Sequence, residues 1–343
     1  MNTKGILPRQ EDIPLTIDAQ YVPGFAWARQ PQIRFVKDFD RTFWAGLSLE
    51  NPTTNAPGCS AFGTVTVSCS QAGPWVNSVP TAGATAPLPP SLVFGVPAGV
   101  GGSLFNSGNA ISLNRIPDVI AKVAWDPKFD DRTVHMETFG LFRDFYSQIY
   151  NANRDVPGWG YGGSILLPLV PKTLDLQFSG MIGRGIGRYG TSQFPDVTFN
   201  WNGSISPLQQ TMLLGGLIWH AFPQLDVYTY AGEEFQKPSY SIINFNGTAS
   251  AYGWGNPLYT NFGCSNEGAI TSPTAPVCNG NMKLVRQITA GLWDKLYDGP
   301  FGSLRVGLQY SYTQKYSFQG EGGGAKTEDS MFLTSLRYYP FTP

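Results

Sequence analysis

Every second residue from Leu304 to Tyr312 is apolar: Leu304, Val306, Leu308, Tyr310 and Tyr312. Between and beside them stand Ser303, Arg305, Gly307, Gln309, Ser311 and Thr313, all polar or small. Successive residues of an extended chain face opposite ways, so a period of two predicts a strand with one greasy and one wet face. The pattern recurs in Leu174, Leu176, Phe178 and Ile182 against Asp175, Gln177 and Ser179. It recurs in Phe43, Ala45, Leu47 and Leu49 against Thr42, Ser48 and Glu50, and in Val119, Ala121, Val123 and Trp125 against Lys122. Val134, Met136 and Phe142 oppose His135, Glu137 and Arg143. About eleven strands are predicted, near 31–39, 41–50, 117–126, 132–145, 160–170, 172–184, 210–221, 224–235, 284–296, 301–316 and 329–341. Those at 160–170 and 210–221 alternate poorly and rest on their neighbours.

Most of these segments reach the roughly nine to eleven residues with which a tilted strand crosses a bilayer, against five or six in globular sheets. The links alternate too. Short ones fall at Asp40, 126–131, Pro171, Phe222–Pro223 and Tyr297–Pro300; long ones occupy 51–116, 146–159, 185–209, 236–283 and 317–328. Short turns on one side and long loops on the other are the habit of outer-membrane barrels. Aromatic residues gather at strand ends: Trp44, Trp125, Trp219, Trp293, Tyr297, Tyr310, Tyr312, Tyr338, Tyr339 and Phe341. Such rings form girdles at membrane interfaces.

Composition narrows the classes. Of 343 residues 14% are charged and 14% aromatic, with 40 glycines; disorder needs the reverse balance. A net charge of −1 gives no field for nucleic acid. The longest apolar runs, such as Met212–Trp219, fall far short of the roughly 20 residues of a membrane helix. Residues 1–20 carry no signal-peptide pattern. Cys59 and Cys69 stand ten apart, Cys264 and Cys278 fourteen apart, each pair inside a Gly/Pro/Ser/Thr/Asn-rich loop. Two local disulfides in an oxidising compartment are expected; zinc ligation would need tighter spacing or nearby histidines.

Candidate chemistry is sparse. Gly185–Gly190 spells G-x-G-x-x-G, but 191–195 shows no helix to hold a pyrophosphate, so a flexible loop is expected. His135 and His220 are the only histidines. His135 belongs to the wet face and reads as lumen-lining; a barrel-embedded hydrolase would set its histidine toward lipid. The wet-face charges Arg34, Glu50, Lys122, His135, Glu137, Asp175, Asp226, Arg286 and Arg305 are the expected pore lining, whose opposed signs would set selectivity. Arg286, however, shares its parity with Leu284 and Ile288. Arg184 and Arg188 stand at the mouth of a long loop.

Eleven strands is odd for a bacterial barrel, and Pro8, Pro14, Pro23, Glu11 and Asp12 speak against a further strand in 1–30. The chain therefore reads as truncated at its N-terminus. Pro23–Phe35, with Arg29-Gln30-Pro31-Gln32-Ile33-Arg34, resembles a mid-barrel passage of DcaP-like trimeric porins. Phe43–Pro52 is similar to the strand that follows it there, and Leu336–Phe341 to their ending. The resemblance implies a homotrimer of sixteen-stranded barrels, with five strands outside this chain and residues 1–30 ending the inward constriction loop.

The reading is an all-β chain: a transmembrane antiparallel barrel over 31–343, with long extracellular loops at 51–116 and 236–283. It is expected in a Gram-negative outer membrane, amid lipid and lipopolysaccharide, passing small hydrophilic solutes or ions. No cofactor, metal or reaction is expected. The alternatives are a secreted or surface all-β binding protein, lectin- or adhesin-like, and an outer-membrane hydrolase.

Overall fold

The computed structural model describes residues 13–17, 22–28, 30–55, 114–149, 152–200, 204–245, 248–264, 278 and 280–340. Eleven strands form one antiparallel meander. They are β1 (Gln32–Phe39), β2 (Phe43–Glu50), β3 (Asp118–Trp125), β4 (His135–Ile149), β5 (Ala152–Val170), β6 (Leu174–Arg184), β7 (Gln209–Phe222), β8 (Leu225–Gln236), β9 (Met282–Gly299), β10 (Gly302–Ser317) and β11 (Lys326–Tyr339). Each bonds to the next in order. β1 and β11 are the sheet's two edges and run in the same direction.

The sheet is inside out relative to a soluble one. Leu308, Tyr310, Phe178, Ile182, Leu213, Leu217, Ile288 and Phe332 are exposed, while Ser48, Gln177, Ser179, Gln210, Gln287, Gln309 and Ser311 are buried. The polar positions of each strand thus share the inner face, on which residues 13–17, 22–28 and 186–199 pack. The apolar ones form a contiguous outer wall that water would penalise and lipid would not. Trp125, Trp159, Trp219, Phe222, Phe301 and Tyr338 stand exposed on that wall. Three expected girdle residues do not join them: Trp44 and Trp293 turn inward and are buried, and Tyr339 shares the inner face with Arg305 and Ser303.

Tight turns close one end, at 40–42, 171–173, 223–224 and 300–301. Asp40 and Arg41 both take positive φ, as tight hairpin turns demand, and the Asp38 carboxylate accepts the Arg41 amide at 2.8 Å. The other end carries the long connections, with one correction. Residues 146–159 are no loop. β4 and β5 continue as a paired ribbon, Phe145 opposite Val156 and Ile149 opposite Ala152. Asn153, Asp155 and Pro157 give this stretch a loop-like composition, yet the Arg115 guanidinium pairs with Asp155 at 2.7 Å and the Tyr146 hydroxyl donates to Asn153.

The weak alternation of two strands has a packing cause. The inner positions of β5 are Gly158, Gly160 and Gly162, which leave room for Phe145, Met181 and Phe139; a Cβ at Gly162 would lie 2.7 Å from the Phe139 ring. On β7 both faces are apolar, because Met212, Leu214 and Ile218 are buried against chain lying inside the sheet. Within the long connections, Val197–Phe199 pairs with Ile205–Pro207, and Ser239–Phe245 with Thr248–Trp254. Cys264 and Cys278 form a disulfide; Cys59 and Cys69 lie outside the described residues.

Candidate functional site

Two segments lie on the inner wall. The first, 13–17 and 22–28, crosses β7 to β11. The Leu15 amide donates to the Tyr230 hydroxyl at 3.0 Å and the Ile17 amide to Gln309 Oε1 at 2.8 Å. Trp293 Nε1 donates to the Leu15 carbonyl at 2.8 Å, and the Arg337 guanidinium, stacked 4.4 Å over Trp293, donates to the Ile17 carbonyl. These partners are polar positions of four neighbouring strands, so the wall is cut to receive a backbone. Val22 and Phe25 then pack on Leu214, Tyr228 and Tyr230. Gly24 sits so close that a Cβ would fall 1.9 Å from the Leu213 carbonyl oxygen, and its φ is +88°.

The second segment follows β6, where the G-x-G-x-x-G run lies. It is a buried turn and not a flexible loop: Gly187–Tyr189 makes one turn of 3-10 helix, with Ile186 and Tyr189 fully buried. Glu234 of β8 ties both segments down. Its carboxylate accepts the amides of Gly24 and Thr191 at 2.8 Å and that of Ser192 at 3.0 Å.

A buried charge cluster holds the second segment to β3 and β4. Arg143 contacts Asp118 at 3.1 Å and Asp196 at 3.0 Å, and donates to the carbonyls of Gly185 and Thr53. Arg188 donates to the Thr53 carbonyl at 2.7 Å and to Gln30, which in turn donates to Glu50. The Tyr189 hydroxyl donates to Asp118 at 2.7 Å. Asp196 also accepts the amides of Arg188 and Asn55. Burial raises the Asp196 carboxyl above its ordinary pKa, with Arg143 opposing. Burial and the Asp118 charge push the Tyr189 hydroxyl well up.

The expected lining residues divide by environment. Glu50, Lys122, His135, Glu137 and Asp226 point inward but are buried. Lys122 pairs with Glu137 at 2.5 Å, and His135 with Asp126 at 2.7 Å. His220 is clamped between Asp226 at 2.7 Å and Asp175 at 3.2 Å, and Lys295 reaches Asp226 at 3.5 Å. Arg34 is exposed, on the face of β1 paired with Ser48. Arg305 is inward and half-exposed, 5.4 Å over the Tyr339 ring. Arg286 is the correction: it lies outside with Ile288, its guanidinium donating to Gln314 and Tyr316. Its period-two parity overrides its charge. Arg184 is exposed beside Ile182's face, and Arg188 is buried instead of standing at a loop mouth. Glu234, Asp118 and Asp196 were not expected; inward parity with Tyr228 and Tyr230 is the signal that marks Glu234.

No family model and no curated protein matches the sequence. Among solved structures, the outer membrane channel DcaP of Acinetobacter baumannii superposes with a TM-score of 0.58 at 13% identity, over 96% of this chain and 68% of that one. The fold is that of an outer-membrane β-barrel. The siderophore receptor PiuA, also from Acinetobacter baumannii, matches with a TM-score of 0.35 at 8% identity, over 92% of this chain and 45% of that one.

Proposed function

We propose that this chain forms the wall of an outer-membrane porin, passing small hydrophilic solutes or ions down their gradients without cofactor or reaction. The observation that carries this is the inverted sheet: apolar side chains such as Phe178, Leu213 and Ile288 face out, and polar ones such as Gln177, Gln287 and Ser311 face in. Lipid around the outer wall makes its apolar side chains favourable, and the Gln and Ser side chains of the inner face suit a polar interior. A secreted binding protein would present the same outer wall to water at a prohibitive cost. A hydrolase finds no support at the histidines, since the ring nitrogens of both face carboxylates.

The resemblance of Pro23–Phe35, Phe43–Pro52 and Leu336–Phe341 to DcaP-like porins extends the proposal to a homotrimer in a Gram-negative outer membrane. The test is purification from outer membranes, heat-modifiable gel migration, and planar-bilayer recording. Step-like conductance supports the porin; water-soluble protein that conducts nothing overturns it.

A further inference from the structure

We propose that the outer wall carries a lipopolysaccharide site, with Arg286 on a headgroup phosphate and an acyl chain in the groove over Gly215 and Ala231. This rests on the porin reading above, which sets the wall in a Gram-negative outer membrane. Outward residues of neighbouring strands line up in rows, and Glu233, Arg286 and Gln314 are consecutive partners on β8, β9 and β10. On β9 the outward positions after Arg286 are Ile288, Ala290 and Leu292, up to Asp294. That is the roughly nine residues with which a tilted strand crosses hydrocarbon. Arg286 therefore stands at one interface, near the end of β9 that follows a long connection. In outer-membrane barrels the long connections lie on the external side. The lipid of that leaflet is lipopolysaccharide, whose lipid A part is a phosphorylated glucosamine disaccharide bearing acyl chains.

Arg286 is held ready for an anion. Its Nε donates to Gln314 Oε1 and its Nη2 to the Tyr316 hydroxyl, both at 2.8 Å. These bonds fix the guanidinium without cancelling its charge. No carboxylate among the described residues pairs with it, and Glu328, further along the row, is paired with Lys326. Lys283 adds a second cation near the rim, 5.8 Å over the Phe235 ring. An exposed guanidinium fixed in this way is a strong phosphate ligand. Glu233, the cross-strand partner of Arg286, makes no ion pair with it. The Glu233 carboxylate can accept hydroxyl and amide protons of an amino sugar, and it repels a bare anion. The two side chains together suit a headgroup that carries phosphate and hydrogen-bond donors side by side. Toward the middle of the wall lies a cavity of about 470 Å³ between Phe178, Leu213, Ile288 and Tyr312, with Gly215 and Ala231 among its lining residues. Packing does not demand the glycine: a Cβ at Gly215 would meet nothing nearer than the Phe178 ring at 3.7 Å. What the small residues leave is an apolar groove leading from the charged row into the hydrocarbon.

Lipid titration of the detergent-solubilised full chain, read by native mass spectrometry, tests the site. The probes are lipid A, lipid A stripped of its phosphates, and phosphatidylethanolamine. The parent is expected to retain lipid A over the other two. Arg286→Gln and Gly215→Leu are each expected to weaken lipid A binding roughly ten-fold, the first by removing the phosphate ligand and the second by filling the groove. Arg184→Gln, at an exposed arginine of the same wall outside the groove, leaves binding at the parent value. Heat-modifiable gel migration checks that each variant is folded. Parent affinity in either folded groove variant overturns the site. Equal binding of dephosphorylated lipid A or of phosphatidylethanolamine overturns the assignment to lipopolysaccharide. With any of these results a conducting parent leaves the porin standing. A parent that neither enters membranes nor conducts removes both.

Discussion

The Glu234 carboxylate accepts the Gly24 amide at 2.8 Å, joining residues 210 positions apart across the inner wall. Because the same carboxylate holds Thr191 and Ser192, one side chain pins both inward segments. Glu234→Ala strands the buried Gly24 amide, at a cost on the order of 1–3 kcal/mol, and the half-buried amides of Thr191 and Ser192 at less. The expected outcome is release of residues 13–17 and 22–28 from the wall, higher conductance, and new protease cleavage there, with the outer wall unchanged. Unaltered conductance and cleavage in a folded variant would contradict the pinning role.

Arg143→Met leaves Asp196 buried without its guanidinium and Asp118 with that of Arg188 alone, at 3.4 Å. Breaking such a pair costs roughly 3–5 kcal/mol, so the melting temperature in detergent should fall sharply. Arg143→Met combined with Asp196→Asn should recover part of the loss, because the orphaned charge is then gone. A double variant no more stable than the single would argue against direct coupling.

Tyr189 makes alkaline pH a probe of the same cluster. Its folded pKa lies above the unfolded value near 10.0, so the folded state keeps the proton longer. Stability from this group is complete below pH 10 and falls as pH rises through the raised value. Asp196 acts in the same sense from the ordinary carboxyl range upward. Thermal melts between pH 8 and pH 11 should show a decline that Tyr189→Phe reduces. An identical slope in the variant would place the titration elsewhere.

Leu308 faces outward, 39% exposed, between Val306 and Tyr310 on β10. Leu308→Arg is expected to cost about 2–4 kcal/mol if the site lies near the bilayer midplane. Folding into lipid vesicles, followed by the gel shift, measures this. Undiminished folding would mean that the outer wall is not in hydrocarbon.

The inner charges should differ in their electrical weight. Arg305 is half-exposed on the inner face, so Arg305→Ala should shift the reversal potential toward cations under a salt gradient. Glu50 is buried against Gln30 and Ser48, and Glu50→Gln should leave that potential near the parent value. The opposite ranking would show that burial does not screen these charges from the path.

Much of the architecture is legible in the chain because strands report themselves locally. The eleven alternating segments correspond to the eleven strands of the sheet, and the parity of Leu304 to Tyr312 is the parity observed. What escapes is non-local. Nothing in Leu15, Ile17 or Gly24 announces that Tyr230, Gln309 and Glu234 will hold them, since those bonds span more than 200 residues. The glycines of β5 hide its alternation because their partners, Phe139 and Met181, arrive from neighbouring strands. Arg286 misleads for a different reason: its charge suggests the lumen, while its parity with Ile288 sets it on the outer wall.

The sealing of β3 to β8 has a mechanical side. A sheet curved around water can flatten under load, whereas one curved around interlocked side chains at near-crystalline density resists compression. Phe139 and Met181 interlock with Ile186 and Tyr189, and Leu214 with Val22 and Phe25, so this flank of the sheet is such a packed shell.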